Sequence, residues 1–173
     1  ALSCVLLTLL LVGVFSFFST TYINYLQLEE KSRVQDEARI VENFIKEEIE
    51  SAKKVTLIDE YGHIISIQSA PSTWKKNEIA EVKLSAIKLD DGARSIVVND
   101  PKTLMYKTTG PSGNVLTDLL KDGSIYVSKD KNSDVVTIKL YLEKERSYRA
   151  NHPVTVHSFT TYIKVSLKYK YDL

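Results

Sequence analysis

The residues best placed by type and spacing to do chemistry are Asp130, Asn132 and Asp134, oxygen-bearing side chains at alternate positions of Asp130-Lys131-Asn132-Ser133-Asp134. Such alternation opens a calcium-binding loop, where it points carboxylate and amide oxygens at one hard cation. That loop also needs a glycine at its sixth position and a bidentate glutamate at its twelfth. Val135 and Tyr141 stand there instead, so the segment reads as a solvated hairpin turn and only a weak candidate metal site. The three histidines, His63, His152 and His157, are scattered, and there is no HExxH, GxSxG or phosphate-cradling glycine run. Asp118 and Asp122, with Lys121 between them, read as surface, and Trp74 as a loop ring folded over a sheet. No catalytic residue and no cofactor is expected, and the chain is not read as an enzyme.

Its 173 residues allow one modest domain plus an appendage. With 23 basic against 22 acidic residues there is no global field to demand a charged partner. The charge is uneven, however: residues 1–60 hold 6 Lys/Arg against 10 Asp/Glu, a balance of −4, and the remainder holds 17 against 12, a balance of +5. The single cysteine, Cys4, excludes an internal disulfide, so the fold must rest on its core alone. Surrounded by apolar residues, Cys4 reads as a lipid-facing or helix-packing side chain rather than a reactive thiol.

Residues 1–18 carry no charge, and only Ser3, Thr8, Gly13 and Ser16 interrupt Leu, Val, Phe, Ala and Cys. This approaches the roughly 20 apolar residues of a membrane span. It reads as a span rather than as a cleavable signal, whose apolar stretch is shorter and ends at small residues. The chain does not break on leaving the bilayer, since no proline precedes Pro71 and no glycine lies between Gly13 and Gly62. Strong helix formers follow. Val34, Ala38, Val41, Ile45, Ile49 and Ala52, with Phe44 beside them, draw one apolar stripe at helical spacing. Arg33, Asp36, Glu37, Arg39, Glu42, Lys46, Glu47 and Glu50 fill the other face, with Glu42 and Lys46 spaced for an ion pair. The reading is one continuous helix over residues 1–53, about 50 residues and roughly 75 Å long. Residues 1–22 form the membrane part and 23–53 the amphipathic part, with Tyr22 and Tyr25 as interfacial aromatics.

After Lys54 the period becomes alternating and β-branched residues take over. Strands are expected at 55–58, 63–68, 79–89, 95–98, 104–107, 125–128, 135–142 and 154–171. Turn signals at 59–62, 90–92, 99–101, 110–114 and 122–123 separate them at hairpin length, so the head, residues 54–173, should be mainly antiparallel. In the last strand Val154 and Val156 share one parity while Ile163, Val165, Leu167 and Tyr169 take the other, which predicts a bulge between His157 and Thr161. Lys164, Ser166, Lys168 and Lys170 form a basic ridge that reads as a solvated edge. DNA contact is the lesser reading of that ridge, which lacks grouped arginines and interleaved exposed aromatics.

An apolar opening that runs unbroken into an amphipathic helix, followed by a β-rich head, resembles type IV pilins and the pseudopilins of type II secretion and competence systems. Arg33-Val34-Gln35-Asp36-Glu37-Ala38-Arg39 leading to Phe44-Ile45-Lys46-Glu47-Glu48-Ile49 is similar to the helix of minor J-type pseudopilins and W-type minor pilins. Ala1-Leu2-Ser3-Cys4-Val5-Leu6-Leu7 resembles the run that follows the N-methylated phenylalanine and glutamate of processed family members. Those two residues are therefore expected upstream of Ala1. The resemblance implies an α+β pilin-like fold, with a long N-terminal α-helix packed on a mainly antiparallel β-sheet head. It also implies a structural minor subunit, stored in the membrane with its head outside the cytoplasm and then assembled into a cell-surface filament or pseudopilus. Leu2, Val5, Leu6, Leu9, Val12 and Phe15 would pack in the membrane and the filament, while Val34, Ala38, Val41, Ile45 and Ile49 would seat the head. Partners would be other pilin or pseudopilin subunits, membrane lipid, an assembly platform and a prepilin peptidase. The alternative is a single-pass membrane protein with an extracytoplasmic sensing or binding domain.

Overall fold

The structure is a computed structural model that describes residues 2–65, 81–110, 112–129, 135–148, 150 and 153–166. One helix, α1 (Leu2–Ser51), runs for 50 residues without a break. It is followed by β1 (Val55–Asp59), β2 (Ile64–Ile65), β3 (Val82–Leu89), β4 (Arg94–Asp100), β5 (Thr103–Thr108), β6 (Gly113–Thr117), β7 (Leu120–Lys129), β8 (Val135–Arg146) and β9 (Thr155–Ser166). All pairings between these strands are antiparallel, in the order β6-β5-β4-β3-β7-β8-β9, with β1 joining β2 to β3. The fold is α+β, a long N-terminal helix on a curled antiparallel sheet.

Both end strands of that path, β6 and β9, touch α1, as does β8. The sheet must therefore curl to bring its two margins to one helix. Val34, Ala38, Val41, Ile45, Ile49 and Ala52 are all buried and lie in one core with Leu57, Leu84, Ile87, Leu89, Ile96, Leu104, Leu140 and Ile163. The alternation that marks β8 as half-buried is real: Val136, Ile138, Leu140 and Leu142 face the helix.

Four expectations need correction. The span 122–123 is not a turn between strands but a bulge inside β7, where Asp122 and Gly123 both take positive φ and pairing with β8 shifts between Leu120 and Ile125. The Gly123 N–H donates to Pro101 O over 2.6 Å, so the bulge answers the β4–β5 turn rather than ending a strand. Gly113 and Asn114, read as turn, open β6; a Cβ on Gly113 would come within 2.9 Å of Lys107 Cγ and 3.0 Å of Tyr106 O. Glycine there permits close strand approach rather than a turn. The bulge expected in the last strand is absent, because β9 pairs with β8 in unbroken register from Val135↔Ser166 to Arg146↔Thr155. The inward positions of its first half hold Thr155, His157, Phe159 and Thr161, several with polar partners, so Val154 and Val156 simply stay outside. Finally, Glu42 turns to the sheet and accepts a hydrogen bond from Thr161 rather than pairing with Lys46.

Ile45 is fully buried where the helix meets the sheet. Ile45→Ala should lower the unfolding free energy of the detergent-solubilised chain by about 2–5 kcal/mol. Urea titration followed by near-UV tyrosine dichroism measures it, and the exposed Ile40→Ala should change it by less than about 0.5 kcal/mol.

Candidate functional site

The sequence places its candidate packing residues on the first third of α1, and the structure leaves that third bare. Every described side chain from Ser3 to Phe18 is exposed, including Val5, Leu6, Leu9, Val12 and Phe15, the last at 76%. Leu2 lies in α1, and its side chain is outside the described residues. The Thr8 hydroxyl donates to Cys4 O at 2.8 Å, so this polar group is satisfied within the helix and needs neither water nor a partner. α1 is the one helix among the described residues long and apolar enough to cross a membrane. Cover begins at Ser19, Ile23, Leu26 and Gln27, which are half-buried, and becomes complete at Glu30.

Glu30 is the residue that reading the apolar stripe missed. Its side chain is 3% exposed, and it is bonded to Arg146, with Lys144 Nζ at 3.3 Å from Oε2 and Arg33 Nη1 at 3.8 Å from Oε1. Oε2 has no hydrogen bond, so the Lys144 attraction is Coulombic rather than directed. Two signals could have found this group. Glu30 lies one helical step before Val34, in phase with the stripe, and Lys144 and Arg146 continue the inward parity of Leu140 and Leu142. Carrying both patterns outward brings two cations to a carboxylate.

Further along α1 the stripe is flanked by carboxylates that reach the sheet. Thr117, itself buried, donates to Glu37 Oε1 at 2.5 Å, and Thr161 donates to Glu42. Arg94 is held between Glu48 Oε2 and Asp90 Oδ2, each at 2.6 Å, and the Tyr106 hydroxyl also donates to Glu48 Oε2. Phe44 meets the Tyr106 ring edge to face at 5.1 Å. Asp90 Oδ1 accepts the N–H groups of Lys53 and Lys54, donors that a longer helix would have used, and so marks where α1 stops. The Arg94 hydrogen bond first, and then the Lys53 N–H, hold the Asp90 carboxyl below the usual carboxylate range.

On the far side of the sheet, Lys83, Tyr126, Lys139 and Tyr162 are cross-strand neighbours in one row over β3, β7, β8 and β9. A half-buried tyrosine, Tyr126, and an exposed one, Tyr162, thus alternate with lysines in this row. Lys139 Nζ lies 4.9 Å from the Tyr141 centroid, 5.6 Å from the Tyr162 centroid and 2.9 Å from Glu81, so its charge is already engaged. Tyr141 and then Glu81 raise its pKa above the ordinary lysine range. Lys164 is exposed on the same face, whereas Lys168 and Lys170 lie outside the described residues. So do Asp130, Asn132 and Asp134, His152 and Trp74. His63 pairs with Asp59 at 3.3 Å, and His157 lies 2.8 Å from Tyr148 Oη. Among the described residues no three His, Cys, Asp or Glu side chains group as metal ligands would.

Arg146→Met should destabilise the solubilised chain by about 1–3 kcal/mol, because it leaves a buried carboxylate short of its best partner. The double variant Glu30→Leu/Arg146→Met should recover most of that loss in the same urea titration. Because the folded Asp90 pKa is depressed, its contribution is present above its unfolded value and is lost as pH falls through the folded one. The wild-type urea midpoint should therefore fall more steeply than that of Asp90→Asn between about pH 5 and pH 2. Comparisons with protein families, with curated proteins and with solved structures find no match for this chain.

Proposed function

We propose that the chain is a structural subunit of a filament of the type IV pilin or pseudopilin kind, held in a membrane by α1 and assembled through it. The observation that carries this reading is a single 50-residue helix, bare over its apolar third and seated on a sheet over the remainder. A bare apolar rod needs either lipid or other apolar helices around it. Because lipid tails and Leu side chains are alike in polarity, the rod can exchange one environment for the other, with packing and shape deciding the balance. The head then rides outside the membrane as a rigid attachment. On this reading other subunits, membrane lipid, an assembly platform and a prepilin peptidase are the partners, and the work of assembly is done by them.

A second reading, a membrane-anchored extracytoplasmic sensing or binding protein, is favoured by the tyrosine and lysine row on the far side of the sheet. Such a face has the character of a recognition surface.

Val12→Arg separates the two. A charge at mid-span costs about 2.5–3.5 kcal/mol in insertion, which a 50-residue helix survives in the membrane fraction. In a filament the same arginine has no water to reach. Surface filaments sheared from cells should lose the variant while the membrane pool keeps it. Recovery of Val12→Arg in filaments at the wild-type ratio to the membrane pool would sink the filament reading.

A further inference from the structure

A second cross-strand row, unlike the one of tyrosines and lysines, is apolar throughout. Followed through the register it is Ile64, Ile58, Ala86, Val97, Met105 and Val115, one residue from each of β2, β1, β3, β4, β5 and β6. Their neighbours along the strands, Ile65, Leu57, Ile87, Ile96 and Leu104 among them, are buried in the core, so the row faces away from α1. Six strands make it about 24 Å wide. Its four inner members are half-buried, whereas its ends stand open, Ile64 at 72% and Val115 at 59% exposure.

The ends of the row are also margins of the hydrogen-bonded ladder. Among the described residues β2 pairs with β1 alone and β6 with β5 alone, so each presents backbone N–H and C=O groups along one edge. Edges are ordinarily guarded against strand addition by charge, proline or a covering element. Ile64-Ile65 and Gly113-Asn114-Val115-Leu116-Thr117 hold neither charge nor proline. α1 bonds β6 at Thr117, through Glu37, and Asn114 and Val115 stay exposed. The remaining margin, β9, is guarded, since it lies against α1 and carries Lys164.

Strand direction decides what fits the open edge of β6. Every pairing is antiparallel, so direction alternates along β2, β1, β3, β4, β5 and β6, and β2 and β6 run opposite ways. A copy shifted sideways without being turned over therefore brings its β2 antiparallel to β6. By the same alternation through β7 and β8, its β9 would arrive parallel, the less stable pairing. Two β6 edges could pair antiparallel only about a two-fold axis normal to the sheet. That axis would reverse α1, which lies along the sheet face, whereas helices anchored in one membrane point the same way. We propose that β6 of one chain takes β2 of a second copy as its next strand, so that Val115 meets the neighbouring copy's Ile64 and the apolar row runs on from head to head. The contact is heterologous, each copy using one margin and offering the other, so it does not stop at two. It is also small. Two or three residue pairs fall far short of the roughly 800 Å² per partner of a standard interface. The contact therefore depends on anchors that hold copies at high local concentration in one orientation. This inference rests on the membrane reading of α1, not on export of a filament.

The test uses the full chain with Cys4→Ala in the membranes of cells that express it, oxidised with copper phenanthroline and separated on a non-reducing gel. Facing residues of an antiparallel pair have Cα atoms about 4.5–5.5 Å apart, within the span of a disulfide. Ile64→Cys and Val115→Cys in one chain should give a ladder of oligomers. The two single variants expressed together should give dimers, several-fold more than Ile64→Cys expressed with Ile40→Cys, an exposed position on α1 away from both edges. Near-UV tyrosine dichroism matching that of the Cys4→Ala parent establishes that each variant folds. A folded, membrane-bound chain that gives no ladder, or no more dimer than the Ile40 pair, would overturn the strand addition and leave the anchor standing. Dimers from Val115→Cys alone would overturn it in favour of two β6 edges meeting. A chain recovered outside the membrane would overturn the anchor, and the shared orientation with it.

Discussion

Glu30, Val34, Ala38, Val41, Ile45, Ile49 and Ala52 are buried in steps of four, four and three, a pattern that repeats every eleven residues. Eleven residues in three turns is about 3.67 per turn, so a straight helix departs from the pattern by only about 20° per repeat. The stripe thus stays on one side of an almost straight rod for more than thirty ångströms of rise, and burying it is the constraint the rest of the structure obeys. A flat sheet would cover a line that long with few strands. Curling lets β6, β8 and β9 all reach the same helix, and the bulge in β7 is the kind of irregularity that bends a strand.

Apolar contact along such a stripe is strong but indifferent to sliding. The flanking carboxylates supply what it lacks. Glu30 meets Lys144 and Arg146, Glu37 meets Thr117, Glu42 meets Thr161, and Glu48 meets Arg94 and Tyr106, each at a different height and each on a different strand or end of strand. A shift of one turn would break all four and leave Glu30 buried among aliphatic groups. In energy the pairs are modest, and their value lies in choosing one docking position among several that the hydrophobic stripe alone would accept.

Most of this was legible because the two periods are clean. Helical spacing from Val34 to Ala52 marked the seam, and alternation in Val136, Ile138, Leu140 and Leu142 marked the inner face of β8. The bare opening of α1 was legible from composition alone. What escaped were polar residues doing inward work. Glu30, Lys144, Arg146, Thr155 and Thr161 sit on buried or helix-facing parities, but a hydrophobicity pattern treats each as solvent-facing, so the seam was read one turn short and β9 was given a bulge it does not need. Asp122-Gly123 has the letters of a hairpin turn, and only the partner strand decides that it is a bulge. The row of tyrosines and lysines escaped for another reason: its members come from four strands and are adjacent only across the sheet.

The absence of any proline or glycine from Val14 to Ser51 has one more consequence. Jointed anchors let a head wander independently of its foot, whereas a stiff one behaves as a lever. With about 75 Å between its ends, a tilt of 10° where α1 enters its surroundings swings the far end by about 13 Å. Under the proposed filament assembly, small adjustments among neighbouring feet would appear as large displacements of the heads, and in any setting a modest push on the head would be delivered to the foot with mechanical advantage.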